Sequence, residues 1–225
     1  MRRRSPLALL LPLIAVSLAV PATASAPSAG DRAVPARGTS PLAGLRLNEV
    51  DYDQPGLDTG EFIEVVNTGT ARVRLRRAAL VFVNGTTSTE YRRVALSGRL
   101  GTSRILVVAT SSVSVDAAAR VLPLPLARDN VQNGAPDAVA LVDTASGVVL
   151  DALSYEGSIG DAAIDGVPGT TSLVEGSPAT ETDGNETAGS LCRLPHRADS
   201  GDDDRDWGAC APTPGAANAP LRSRS

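Results

Sequence analysis

The 225-residue chain contains no lysine; all 21 of its basic residues are arginine. It has one histidine, one tryptophan, one methionine and two cysteines, and aromatic residues make up only 3% of it. Each shortage narrows what the protein can be. With His196 as the sole histidine, a two-histidine metal site cannot form within one chain. A Ser-His-Asp triad would have to be built on that residue, which lies between Pro195 and Arg197 and reads as a solvent-facing loop position. The sequence has no G-x-S-x-G elbow, no Walker-type phosphate loop and no H-E-x-x-H pair. A core with so few aromatics must be made of Leu, Val, Ile and Ala.

Export is written at the N-terminus. Met1 is followed by Arg2, Arg3 and Arg4, an apolar run from Leu7 to Val20, and the small residues Ala22-Thr23-Ala24. A basic start, an apolar middle and an A-x-A site read as a signal peptide over residues 1–24, cut after Ala24 or after Ala26. The protein is therefore expected outside the cell or in its envelope. No second apolar run long enough to span a bilayer follows, so no membrane span is expected in the mature chain. Without Arg2, Arg3 and Arg4 there remain 18 basic residues against 25 acidic ones, a net charge of −7. An acidic balance argues against general or specific nucleic-acid binding. In an exported chain the pair Cys192 and Cys210 reads as one disulfide, and two Cys with one His are too few ligands for zinc.

Residues 25–41, rich in Ala, Pro, Gly and Ser, read as a flexible linker. From Leu42 the pattern becomes short apolar runs broken by turn residues. Strands are expected at Leu45–Val50, Glu61–Asn67, Arg72–Leu75, Leu80–Val83, Tyr91–Leu96, Arg104–Val108, Asp137–Val142 and Val148–Leu153. Asn84-Gly85 and Ala145-Ser146-Gly147 mark hairpins. Pro123 and Pro125 assign Val121–Leu126 to a sheet edge or an extended loop, and Val113–Val121 could hold a helical turn or two. The fold class is all-β, a two-sheet sandwich over residues 42–157. Residues 158–218 read as an irregular C-terminal extension carrying the disulfide, with a short strand at Ser190–Leu194, and residues 219–225 as a disordered tail.

The order of several segments resembles the lamin tail domain family in its secreted bacterial form. The opening is Leu47-Asn48-Glu49-Val50, an Asp-rich turn, and Glu61-Phe62-Ile63-Glu64-Val65-Val66-Asn67. The closing strands are Asn133 to Leu141 and Val149 to Tyr155, and the tail carries Ser190-Leu191-Cys192-Arg193, Asp206-Trp207 and Pro212 to Asn218. The resemblance spans about residues 42–218 and implies an immunoglobulin-like sandwich without catalytic residues, serving as a protein-interaction or cell-surface module. Bacterial members sometimes sit beside enzyme domains; none is expected within these residues.

Two charged surfaces stand out. Residues 71–104 hold eight Arg against Glu90 alone, and Arg72, Arg74, Arg76, Arg92 and Arg93 form a candidate basic patch for an anionic cell-surface polymer. Equally, the patch could pair with the acidic arm of the same chain. Asp199, Asp202, Asp204 and Asp206 are candidate Ca²⁺ ligands beside the flexible Gly201, or else a solvated acidic loop. The carboxylates from Glu49 to Glu64 leave a hydrolase open as an alternative, but strand alternation sets Glu61 and Glu64 on opposite faces. Trp207 is expected to pack against the sandwich and pin the arm. The partner is an unknown protein or an anionic polymer, no cofactor is required, and a monomer is expected.

Overall fold

The computed structural model describes residues 40–221 apart from Thr187. The signal peptide, most of the linker and residues 222–225 lie outside the described residues. The strands are β1 (Leu45–Asp51), β2 (Phe62–Asn67), β3 (Val73–Arg74), β4 (Ala78–Asn84), β5 (Thr89–Ala95), β6 (Arg99–Leu100) and β7 (Ile105–Ala109). They continue with β8 (Arg120–Pro123), β9 (Asp137–Asp143), β10 (Val148–Tyr155), β11 (Ser190–Arg193), β12 (Trp207–Ala211) and β13 (Ala219–Pro220). A one-turn helix, α1 (Asp203–Asp206), precedes β12. The all-β expectation holds. A seven-stranded sheet, ordered β13-β12-β11-β1-β2-β7-β8, packs on a four-stranded sheet ordered β10-β9-β4-β5, and β3 and β6 form a separate two-stranded ribbon.

Alternation builds the core between the sheets. Ile63 and Val65 of β2 and Leu106 and Val108 of β7 face Leu80 and Phe82 of β4 and Val139 and Leu141 of β9. Tyr52 stacks on Tyr155 with ring centroids 4.1 Å apart, joining the end of β1 to the end of β10. In two strands the inward parity switches. Leu45 and Leu47 face inward, then Val50 and Tyr52; Leu150 faces inward, then Leu153 and Tyr155. The ladders show the cause, a bulge between Leu47 and Glu49 in β1 and another between Val149 and Asp151 in β10. Each extra residue shifts the alternation by one position.

Residues 158–189 are the irregular part of the C-terminal extension, and from Ser190 the chain returns to the large sheet. β11 pairs with β1, β12 with β11, and β13 with β12. The irregular part still has a packing role. Ile159, Ala162, Ile164 and Leu173 cover Val81, Val83, Ala138 and Val142 on the outer side of the small sheet. On the outer side of the large sheet, Val113, Val115 and Ala119 pack on Phe62, Val66 and Val107. Those three residues lie in the segment where a helical turn was expected. It forms turns and extended chain instead, because that shape lays its apolar side chains along the sheet. β8 fits the edge-strand expectation, pairing only with β7, in parallel.

The Cys192–Cys210 disulfide joins β11 to β12 with Cα atoms 5.9 Å apart across 18 residues. Replacing both cysteines with serine is expected to lower unfolding free energy by about 3 kcal/mol through the loop entropy released to the unfolded chain. Urea titration of both forms measures it; equal midpoints would show that the strand pairing alone holds the arm.

Candidate functional site

Arg193 occupies the most demanding position in the molecule. It is the last residue of β11 and is fully buried, with 0% exposure. Its guanidinium donates to both oxygens of Asp151, at 3.0 and 3.1 Å, and to Asp206 at 3.1 Å. It also donates to the carbonyls of Leu47, at 2.8 Å, and Ala198, at 3.0 Å, and stacks 4.9 Å from the Trp207 ring centroid. Asp151 is delivered by the β10 bulge and also accepts the Leu47 N–H at 2.7 Å. The backbone of Leu47, beside the β1 bulge, is thus hydrogen-bonded by an acid from one sheet and a base from the other. Trp207 lies in the core as expected, 3% exposed, and the arginine rests on its face.

The β1 bulge has a second consequence on the outer side of the large sheet. Asn48 and Glu49 both meet Glu64, because Glu49 pairs with it across the ladder and Asn48 donates to it at 2.7 Å. Segment 212–218 lies over these groups. Glu49 accepts from the Ser190 hydroxyl, the Thr213 N–H and the Thr213 hydroxyl at 2.7–2.8 Å, and Glu64 accepts the Gly215 N–H. Asn218 ties the end down, donating to the carbonyls of Asn48 and Arg193, while its N–H donates to His196 Nδ1. His196 is therefore half-buried within a polar seam and not solvent-facing as its sequence context suggested. Both glutamates have 0% exposure, and their oxygens hold backbone and hydroxyl groups where a cleft would be needed for catalysis.

Burial shapes the ionisation of this face. It pushes the Glu64 carboxyl up to about 8, reinforced by the charge of Glu49, and raises Glu49 against the hydrogen bonds from Thr213 and Ser190. Asp51, next along the strand, is pushed up to about 9 by burial and by the charge of Asp183. Asp143 goes the other way. Burial favours its neutral form, but hydrogen bonds from Arg77, Ser40 and the Ala145 N–H prevail and hold it down at about 2. Glu61 and Glu64 do separate as strand alternation required: Glu61 accepts the N–H groups of Asn130 and Val131 and the Asn130 amide.

The expected basic patch divides. Arg72, Arg74 and Arg76 are exposed. Arg92 donates to the backbone carbonyls of Asp129 and Asn130 and lies against Tyr91. Arg93 forms a bidentate pair with Glu90 and donates to the Asp165 carbonyl. Consecutive residues of β5 take opposite faces, which separates these two. The four candidate calcium ligands are each engaged by groups of their own chain. Asp199 pairs with Arg46 and, at 3.7 Å, with Arg193; Asp202 accepts from Ser177, Asp204 from Thr180, and Asp206 from Arg193 and the Ser200 N–H. Among the described residues no group of three or more His, Cys, Asp or Glu side chains is arranged to hold a metal ion. Asp151 was not singled out from sequence, nor was its pairing with Arg193. The available signal was a charge inside an apolar strand run, Leu191-Cys192-Arg193-Leu194 and Val149-Leu150-Asp151-Ala152, since a buried charge requires a partner.

No family model matches the chain, and no curated protein matches it.

Arg193→Met would leave Asp151 and Asp206 buried without their cation, and is expected to cost about 3–5 kcal/mol of stability. Adding Asp151→Asn should recover part of that loss, and urea titration of the single and double variants measures the coupling. The carboxyls of Glu49, Glu64 and Asp51 bind protons more tightly when the chain is folded. The stability they contribute is complete below their ordinary values near 4 and is lost as pH rises through about 8 for Glu64 and about 9 for Asp51. The urea midpoint should therefore fall between pH 6 and pH 9, and Glu64→Gln should flatten the fall; a slope unchanged in that variant would remove Glu64 from the account.

Proposed function

We propose that this chain is an exported, non-catalytic module of the lamin-tail type, with an immunoglobulin-like sandwich, that binds an anionic component of the bacterial envelope through its arginine-bearing surface. The observation that carries this reading is the contrast between two sets of arginines. Arg46, Arg77, Arg93 and Arg193 are paired with carboxylates of their own chain. Arg72, Arg74, Arg76, Arg99, Arg104 and Arg120 are exposed, and none of them has a carboxylate partner among the described residues. The acidic arm that could have covered them is occupied elsewhere, with Asp199 and Asp206 at Arg193 and Asp204 at Thr180. In a chain with an acidic balance, such a concentration of guanidinium groups without carboxylate partners among the described residues is a surface for an anionic partner.

The buried acids support the non-catalytic part of the reading. Glu49, Glu61 and Glu64 each hold backbone N–H groups of neighbouring segments and so work as structural clamps. The lamin-tail part rests on sequence resemblance alone.

Sedimentation with washed envelopes of the producing organism tests the reading. Binding is expected to saturate, to be lost at about 1 M NaCl, where charges are screened within about 3 Å, and to weaken in Arg74→Glu/Arg76→Glu. Absence of saturable binding at low salt would overturn it.

A further inference from the structure

We propose that the pocket between β6, β7 and β8 is a binding site for an anion carrying two or more adjacent phosphate groups. This rests on reading the chain as a surface-binding module and gives that surface a specific ligand chemistry. The pocket encloses about 460 Å³, and Arg72, Arg99, Arg104 and Arg120 line it with no acidic residue among them.

The arginines are held in place by the fold. Arg99 projects from β6 because its neighbour Leu100 is buried, 2% exposed, which anchors the ribbon pairing β6 with β3. Arg120 begins β8 opposite Leu106 of β7, and its guanidinium lies against Gly98. A Cβ at Gly98 would come within 2.6 Å of that guanidinium, and the φ of +81° at Gly98 favours glycine there. The stem of Arg104 runs over Gly101, where a Cβ would lie 3.2 Å from its Cγ, and its guanidinium donates to the Ala118 carbonyl. Strand positions and close-fitting glycines therefore gather like charges on one concave surface. Their mutual repulsion is relieved by a bound anion.

Phosphate fits this arrangement better than carboxylate. Arginine forks engage either group bidentately. A tetrahedral phosphate, however, presents more acceptor oxygens and in several directions, whereas the acceptor sites of a carboxylate lie in one plane, so phosphate is better suited to forks converging from different chain segments. The pocket is also larger than one oxyanion needs, which favours adjacent phosphates over orthophosphate.

Titration calorimetry of the purified chain with inorganic tripolyphosphate at about 50 mM NaCl tests the site. Binding is expected to be at least about tenfold tighter than for orthophosphate, and at least about tenfold weaker in Arg99→Ala/Arg120→Ala, while Arg92→Ala, whose side chain is bonded to backbone, leaves it unchanged. Near-identical melting temperatures verify that the variants are folded. Long-chain polyphosphate distinguishes the source: affinity per site above that for tripolyphosphate identifies a polymer, and equal affinity identifies a free polyphosphate compound, both with the proposed chemistry. No heat with tripolyphosphate, no preference over orthophosphate, or equal binding in the double variant overturns the site. Because the envelope experiment uses Arg74 and Arg76, it can succeed while this one fails.

Discussion

A guanidinium with no solvent around it occupies the seam where the C-terminal arm meets both sheets. Arg193 comes from the arm, Asp151 from the small sheet, Leu47 from the large sheet and Asp206 from the turn before β12. Burying such a group costs several kcal/mol, so its role is specificity more than net stability. Only one placement of the arm gives the guanidinium its carboxylates, its carbonyls and the Trp207 face together. The two bulges serve this arrangement. One delivers Asp151, and the other opens the edge of β1 at Leu47 to both partners.

With the arm so fixed, the rest of the extension covers surfaces that a two-sheet sandwich would leave open. The apolar outer side of the small sheet lies under residues 159–173, and the acidic outer side of the large sheet under residues 212–218. That is why β9 is buried along its whole length, and β2 is too, with Val113, Val115 and Ala119 covering Phe62 and Val66. The raised ionisation of Glu49 and Glu64 belongs to the same arrangement: carboxylates that would face water on an open sheet are enclosed beneath a strap. The exposed arginines lie on and beside the ribbon β3–β6, just before β7 and at the start of β8.

Most of the longer strands and their turns were legible in the sequence, whereas β6, β12 and β13 were not. Leu45–Val50, Glu61–Asn67 and the paired runs around Ala145-Ser146-Gly147 were legible because alternation and turn chemistry are local properties. The Cys192–Cys210 bridge was legible because two cysteines have one intramolecular pairing. The opposed faces of Glu61 and Glu64 followed from strand parity alone. Tertiary structure decided what those elements met. Whether Val113–Ala119 coils or extends depends on an apolar sheet face far from it in sequence, and whether Arg92 is free depends on the carbonyls of Asp129 and Asn130. Arg193 and Asp151 lie 42 residues apart, and a charge can be read from a sequence while its partner cannot. The physical reason is range: periodicity and turn preference act between neighbours along the chain, whereas desolvation and ion pairing act between whatever groups the packed fold brings into contact.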